Sequence, residues 1–212
     1  MPTLNNDTVI NIVDNKYLRM YDLQYDEGRH YFCASRRNKD NLICLKDSEE
    51  LAQSNPDAVT IITVLNGKLL LEEEYRYPTG RFLLSPPAGL LDSDDGKGEE
   101  GIIKAAIREL KEETGIIVKE SDKVSVVNSF LFSSPGMTDE SNAVALAVIN
   151  GFDESKLTFE GCEGSELFRG YKLLTQDDAK RILANGKDDD GCFYSIYTYV
   201  ALNYYLYQFE LS

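Results

Sequence analysis

The sequence predicts a mixed α/β sandwich with a small antiparallel β unit at its N-terminus. Three observations favour this class: several short strand-like segments are separated by turn signals, one acidic helix is predicted near the middle of the chain, and further helices follow. A chain of 212 residues is long enough for one domain with an appendage. We therefore expect an N-terminal β-strand unit over residues 1–50 and a main domain over residues 51–212.

The N-terminal unit is predicted from two apolar segments around a turn. Residues 1–15 are polar, and we expect them to be poorly anchored. Residues 17–25 and 30–35 are predicted to be strands joined by the turn at 26–28, and residues 41–45 are predicted to be a short third strand. Because a hairpin of this size is marginal on its own, the unit needs a partner surface.

The main domain shows clearer strand and helix signals. Asn66-Gly67 between two apolar segments is a strong hairpin signal. Thr175 is a suitable N-cap for a helix that reaches Ala184, and residues 192–209 are predicted to be a final helix. The remaining predictions are strands at 59–65, 68–74, 123–132, 143–149 and 167–174, and a glycine-rich acidic loop at 159–164.

The central helix is predicted from Ile102 to Thr114, with Gly115 as its C-cap. Apolar residues recur along it at helical spacing and form one stripe. Glu109, Glu112 and Glu113 crowd the side next to that stripe, where like charges destabilise a helix. A solvated acidic face is one interpretation. The other is a hard divalent cation bound through carboxylate oxygens.

Composition excludes several other functions. A net charge of −14 argues against a general nucleic-acid binder or a protein that binds anionic membranes. We expect no membrane segment and no signal peptide, because no apolar run has the required length or flanks. The four cysteines are dispersed, which disfavours a zinc site and predicts reduced thiols in the cytoplasm.

The central segment resembles the Nudix box of the Nudix hydrolases. The pattern Glu-x7-Arg-Glu-Leu-x-Glu-Glu-x-Gly-Ile starts at Glu100 and matches every fixed position through Ile116. The glycine that opens the family's motif is replaced by Asp94, because the loop between the Pro-Ala-Gly at 87–89 and the helix is lengthened. This insertion leaves Glu99 as an alternative for the role of Glu100.

Two flanking segments resemble the ADP-ribose pyrophosphatase branch of that family. Residues 75–84 resemble the segment before the Nudix box, and there Arg76 and Arg81 are either substrate ligands or exposed arginines on an acidic surface. The Ser-Pro-Gly loop at 134–136 implies substrate contacts by Gly136 and Met137. Ser85 occupies the position where that branch usually has a glutamate, which puts part of the usual network in doubt.

The resemblance implies a Nudix-type α/β/α sandwich and a pyrophosphohydrolase that acts on a nucleoside diphosphate linked to another group. ADP-ribose or an ADP-sugar is the expected substrate. It also implies a homodimer built in part through residues 17–45, and two or more Mg²⁺ ions, with Mn²⁺ as a substitute. A second possibility is a Nudix-like regulatory module that binds such a nucleotide without hydrolysing it.

The resemblance also implies roles for individual residues. An orienting ion pair between Arg108 and Glu100 is expected, and Glu140 is expected to be the general base, with Asp139 and Glu112 as alternatives. The metal ligands carried over by position are Glu109, Glu113, Glu112 and the backbone carbonyl of Ala88.

Overall fold

A computed structural model describes residues 2–162, 164 and 166–209. Some predicted residues lie outside the described ones: Met1 at the start of the predicted N-terminal unit, Glu163 in the predicted acidic loop, and residues 210–212 at the end of the predicted main domain. The chain splits into two compact units, residues 1–57 with 130–142 and residues 58–129 with 143–212. The helices are α1 (Ser48–Ala52), α2 (Gly98–Thr114), α3 (Gln176–Asn185) and α4 (Ile196–Tyr207). The strands are β1 (Val9–Asp14), β2 (Arg19–Tyr25), β3 (Arg29–Ser35), β4 (Ala58–Leu65), β5 (Lys68–Arg76), β6 (Arg81–Ser85), β7 (Ala88–Leu90), β8 (Lys123–Phe132), β9 (Ser141–Ile149), β10 (Phe168–Leu174) and β11 (Phe193–Tyr194).

The first unit contains a three-stranded antiparallel sheet in the order β1-β2-β3. Two predictions were wrong here. Residues 9–14 are not poorly anchored: they form β1, whose side chains are exposed after a single buried Val9, so the segment carries no apolar alternation. Residues 41–45 do not form a strand, because consecutive 3₁₀ turns at 39–41 and 43–45 place only Leu42 in the core.

The second unit is built on a mixed sheet in the order β11-β6-β5-β4-β9-β8, with β10 added to β5 and β7 added to β4. The predicted hairpin at Asn66-Gly67 is confirmed. Both residues have positive φ, 49° and 81°, as a tight two-residue turn requires. β11 pairs with β6 in parallel, and the pairs of β5 with β4, β6 and β10 are antiparallel.

Helices cover both faces of this sheet, as the predicted sandwich requires. α2 packs on one face, where Ala106 and Leu110 join Ile61 and Leu70 in one apolar cluster. α3 and α4 pack on the other face, where Ile182 and Leu202 meet Leu69, Leu71 and Leu84. Among the described residues, no helix combines the length and the apolar character needed to cross a bilayer.

Helix predictions were accurate at the C-terminal ends and less so at the starts. The central helix ends at Thr114 as predicted, and Gly115 takes the left-handed conformation with φ of 71°. It begins at Gly98, four residues before the predicted start at Ile102. Thr175 caps α3 by accepting a hydrogen bond from the backbone N–H of Asp178, as predicted.

Candidate active site

The carboxylates of α2 are held against the sheet by the apolar stripe of the same helix. Ala105, Ala106 and Leu110 are fully buried, and Glu109 and Glu113 follow them at the edge of that stripe. Glu109 is 8% exposed and Glu113 is 5% exposed, so neither belongs to a solvated acidic face. The interpretation of these two residues as an exposed helix surface is therefore excluded.

Gly89 in β7 lies against the Glu109 side chain of this helix. A Cβ atom at that position would lie 1.9 Å from both the carboxyl carbon and Oε1 of Glu109. Any other residue here would displace the Glu109 carboxylate, so the observed position of that carboxylate requires glycine at position 89. The backbone of β7 and the Glu109 carboxylate therefore line the same narrow site.

Glu113 is bound to the neighbouring residue of β7. Its Oε2 accepts a hydrogen bond of 2.9 Å from the backbone N–H of Ala88. Burial raises the pKa of Glu113 well above its ordinary value, and the Ala88 hydrogen bond opposes that rise only in part. Burial also raises the pKa of Glu109, to about 7, against the opposing charge of Arg108.

Arg108 holds four partners at the solvent side of this site. Nη1 donates to Oε1 of Glu109 at 2.7 Å and to Oε2 of Glu112 at 3.1 Å. Nη2 donates to Oδ2 of Asp95 at 3.0 Å and to the carbonyl of Leu90 at 2.9 Å. The guanidinium thereby links the helix, β7 and the loop that precedes the helix, and it fixes the Glu109 carboxylate.

The predicted ion pair between Arg108 and Glu100 was wrong. Glu100 lies in the first turn of α2, where it is exposed and pairs with Lys104 at 2.9 Å. Eight residues of helix separate Glu100 from Arg108 by about 12 Å along the axis, too far for an ion pair. Glu99, the alternative to Glu100, lies in the same exposed turn.

Asp95 takes the place expected for Glu100, and it belongs to the lengthened loop. Its Oδ2 accepts the backbone N–H of Asp92 at 2.8 Å as well as the Arg108 guanidinium. Burial alone would raise the pKa of Asp95, but the hydrogen bonds from Arg108 and Asp92 outweigh it and leave that pKa lowered. The lengthened loop therefore supplies the carboxylate that pairs with Arg108.

Three further carboxylates that the sequence analysis did not single out act on the same site. Glu72 and Glu74 lie on β5, and Glu166 precedes β10. Burial is the largest cause of the raised pKa of Glu113, and the negative charges of Glu74 and Glu166 raise it further. The charge of Glu113 in turn adds to the raised pKa of Glu72, which is also due mainly to burial. Alternation with the buried Leu70 was the one sequence signal for Glu72, because residues two apart in a strand share a face.

Arg76 and Arg81 face each other across the end of the β5–β6 hairpin, where Gly80 closes the turn with φ of 64°. Nη2 of Arg76 lies 2.6 Å from Oε2 of Glu74. Nε of Arg81 donates to the carbonyl of Thr79 at 3.2 Å. Arg76 is thus tied to the acidic site through Glu74, and Arg81 to its own turn.

The loop at 133–140 belongs to the first unit, and its two acidic residues differ in their contacts. Glu140 accepts a hydrogen bond of 2.9 Å from Arg36 and another of 3.2 Å from the Ser133 hydroxyl. Asp139 accepts the backbone N–H of Ile43 at 3.2 Å and is also paired with Arg37, so it holds the unit together.

The same loop lines a cavity within the first unit. The carbonyl of Gly136 accepts a hydrogen bond of 2.8 Å from the Tyr31 hydroxyl. Met137 is exposed and lines a cavity of about 620 Å³ together with Tyr31, Pro135 and His30. That volume lies in the range of small-molecule sites.

The donors around α2 suit a hard divalent cation. They are carboxylate and carbonyl oxygens, which Mg²⁺ and Mn²⁺ prefer. In residues 2–162, 164 and 166–209, no three acidic, His or Cys side chains already converge as a metal cluster. Glu72 Oε1 is nevertheless buried without a hydrogen-bond partner in that part of the chain, and the backbone of Gly89 lies directly beside the Glu109 carboxylate. The residues therefore fit a cation through their chemistry.

Comparisons with known proteins show the family of this chain. The NUDIX domain family model matches residues 54–194. Nudix hydrolase 14, chloroplastic, of Arabidopsis thaliana is 38% identical over 99 residues, which are 42% of this chain and 30% of that protein. The ADP-ribose pyrophosphatase of Bacillus subtilis is 32% identical over 139 residues, which are 65% of this chain and 68% of that protein.

A solved structure supports the fold. The crystal structure of an ADP compounds hydrolase aligns with a TM-score of 0.59 over 95% of this chain and 90% of that chain, at 21% identity. The chain spans less than half the length of three of the curated relatives that it matches. The family model nevertheless covers more than half of the 212 residues, and it includes the whole of α2 and β7. The chain therefore belongs to the Nudix family.

Proposed function

We propose that this chain is a cation-dependent pyrophosphohydrolase that cleaves ADP-ribose or an ADP-sugar into AMP and a sugar phosphate. The observation that carries the proposal is the buried pair of Glu109 and Glu113 against the backbone of Ala88 and Gly89. Similarity to the ADP-ribose pyrophosphatase of Bacillus subtilis supports the choice of substrate.

Different side chains of this site are proposed to bind the cations and to orient the ligands. Glu109, Glu113, Glu112 and the Ala88 carbonyl would hold two or more Mg²⁺ ions, or Mn²⁺, which when bound orient a water and neutralise charge on phosphate oxygens. Arg108 keeps Glu109 and Glu112 in orientation through its two short hydrogen bonds.

Substrate binding is assigned to Arg76 and Arg81, whose guanidinium groups can each bind a phosphate through paired hydrogen bonds. Both lie at the open end of the β5–β6 hairpin, where a phosphate can reach them. Gly136 and Met137 are assigned to the rest of the substrate, supported by the position of Met137 on the cavity of the first unit.

Glu140 is proposed to accept the proton of the attacking water. Its carboxylate is half-buried and kept in one orientation by Arg36 and Ser133, whereas Asp139 is committed to structural contacts. Glu140→Gln should lower kcat by about 100-fold, as loss of a general base does. Asp139→Asn should instead lower thermal stability.

We also propose a homodimer through residues 17–45 and a reducing, cytoplasmic location. The described sheet of the first unit exposes several large apolar side chains, and such patches mark interaction surfaces. The location is supported by four cysteines that are all free. The exposed apolar side chains are Ile10, Ile12, Val13, Tyr17, Leu18, Met20, Tyr31 and Phe32.

A regulatory module that binds such a nucleotide without hydrolysing it is the alternative function. The retention of both buried carboxylates of α2 favours the enzyme, because a binding module does not need them. Binding of ADP-ribose with no release of AMP in the presence of Mg²⁺ would favour the module.

The decisive experiment is a hydrolysis assay over a panel of ADP-ribose, ADP-sugars, dinucleotides, coenzyme A and nucleoside triphosphates. AMP release from ADP-ribose or an ADP-sugar should require Mg²⁺ or Mn²⁺ and stop in EDTA. Glu113→Gln, which keeps the side-chain shape, should fold normally and lose turnover. Preference for triphosphates or coenzyme A would refute the substrate, and full activity of Glu113→Gln would refute the metal assignment.

A further inference from the structure

Glu72 is a buried carboxylate that the proposed function does not use. It lies in the middle of β5 and is 1% exposed. Its Oε1 has no hydrogen-bond partner within residues 2–162, 164 and 166–209. An unpaired carboxylate oxygen in a protein interior is costly, and buried polar atoms without partners are few. Its presence therefore needs a reason other than packing.

The register of the sheet shows which way Glu72 points. Alternate residues of a strand share one face, so Glu72 lies on the same face as Leu70, which packs against Leu110 of α2. Tyr171 is directly opposite Glu72 on β10, and its hydroxyl donates a hydrogen bond of 2.6 Å to the carbonyl of Glu113. Glu72 therefore faces the C-terminal end of α2.

The charges around Glu72 agree with this direction. Burial is the largest cause of the raised pKa of Glu72, and among the charged groups Glu113 raises it most, followed by Glu74 and Glu166. Arg76 is the one cation among the groups that act on it most strongly, and it acts less than any of these carboxylates. A carboxylate with an unpaired oxygen that faces other carboxylates lacks an adequate positive partner from the chain.

The strand on the other side supplies no carboxylate at this place. Ser85 of β6 is directly opposite Glu72 in the register, so the two side chains share a face. Ser85 carries a hydroxyl, which is a weaker ligand for a hard cation than a carboxylate. Within this pair of positions, β5 supplies the acidic group and β6 does not.

We propose that Glu72 is an additional ligand of the divalent cation held by Glu113, with its free Oε1 as the donor atom. The inference rests on the cation site of the proposed function and adds a residue from the sheet to it. A cation bound there would supply positive charge beside Glu72 and Glu113, and it would account for a carboxylate in the sheet interior.

The test is a Mn²⁺ titration of the full chain, without substrate, followed by electron paramagnetic resonance. Glu72→Gln should raise the Kd for Mn²⁺ by at least about tenfold, the scale seen when a residue that supports a metal site is lost. Glu73→Gln is the matched control. Glu73 is also buried on β5, but it points to the opposite face and pairs with Arg169 at 2.7 Å, so Mn²⁺ binding should stay within about twofold.

A second variant keeps the test valid if Glu72→Gln folds poorly. Glu72→Leu removes a buried carboxylate that repels its acidic neighbours, so its melting temperature in EDTA should not fall. The increase in Tm that Mn²⁺ produces in the wild type should drop by at least half in this variant. An unchanged increase in Tm, or a Kd for Glu72→Gln within twofold of the wild type while Glu113→Gln loses Mn²⁺, would overturn the proposal.

The outcomes also separate this inference from the proposed function. If the wild type binds Mn²⁺ but hydrolyses no ADP compound, the proposed function fails, and the Kd comparison still decides the role of Glu72. If the wild type binds no Mn²⁺ at millimolar concentration, both are overturned.

Discussion

Replacement of Glu109 should make the cation-free protein more stable at high pH. Burial raises the pKa of Glu109 from 4.5 to about 7, so between these values the folded state binds more protons than the unfolded state. Stability must therefore fall as pH rises through this window. The destabilisation is absent below the unfolded pKa and complete above the folded pKa.

The size of the effect follows from the shift. Linkage over these two pKa values gives a loss of about 1 kcal/mol at pH 5.5 and about 3 kcal/mol at pH 8. The Glu109 side chain is only 10% exposed, so solvent screening does not reduce this estimate much. The free energy of unfolding of Glu109→Gln minus that of the wild type should thus grow by about 2 kcal/mol between pH 5.5 and pH 8.

The assay is urea unfolding in EDTA at both pH values, followed by circular dichroism. Glu112→Gln is the matched control, because Glu112 is on the same helix and also pairs with Arg108 but is 42% exposed. Because this variant keeps Glu109, its free energy of unfolding should fall between pH 5.5 and pH 8 in parallel with that of the wild type. If the wild type and Glu109→Gln lose stability in parallel as pH rises, burial does not raise the pKa of Glu109.

Three further perturbations test other parts of the structure. Gly89→Ala should lower kcat/KM by about 100-fold or more, because its Cβ would displace the Glu109 carboxylate by more than 1 Å. Asp95→Asn should destabilise the fold by about 2 kcal/mol in urea unfolding, because Arg108 loses a charged hydrogen-bond partner. Phe32→Asp should convert the proposed dimer into monomers in light scattering, because Phe32 is 55% exposed on β3, within the proposed interface of residues 17–45.

Each of these expectations has a clear contrary result. Gly89→Ala with wild-type kinetics would mean that the Glu109 carboxylate can move without consequence. Glu100→Gln serves as the control for Asp95→Asn, since its ion pair with Lys104 is exposed, and equal losses in both variants would contradict the role given to Asp95. A wild type that is monomeric at micromolar concentration would contradict the proposed dimer.

Local signals were sufficient to predict the centre of the fold. The helical spacing of Ala106 and Leu110 and the glycine at position 115 depend only on nearby residues, and they gave α2 and its C-terminus. The Asn66-Gly67 turn likewise specifies its hairpin through its own backbone conformation. The resemblance to the Nudix box then predicted the candidate metal ligands of α2, because the motif lies within this helix.

Contacts between distant segments could not be predicted in the same way. The partner of Arg108 depends on how an inserted loop returns, and a family motif does not describe an insertion, so Asp95 was missed. Glu72 lies in a run of three glutamates that a sequence alone presents as a charged surface. Its role depends on the pairing of β5 with β6 and β10. β1 was missed because only Val9 of that strand is buried.

The run Glu72-Glu73-Glu74 also bears on the accuracy of folding. In the native register, Leu69 and Leu71 of β5 point toward α3 and α4, and Glu73 points to the same side and pairs with Arg169. A shift of β5 by one residue against its neighbours would turn every side chain to the opposite face. Arg169 would still meet a carboxylate, because both neighbours of Glu73 are glutamates. The cost of the shift lies instead in the apolar cluster that contains Leu69 and Leu71. A shift in one direction would place the charged Glu72 at the buried site of Leu71, and a shift in the other would place Lys68 at the buried site of Leu69. A charged residue at each end of the leucine run therefore disfavours mispairing of this strand in both directions.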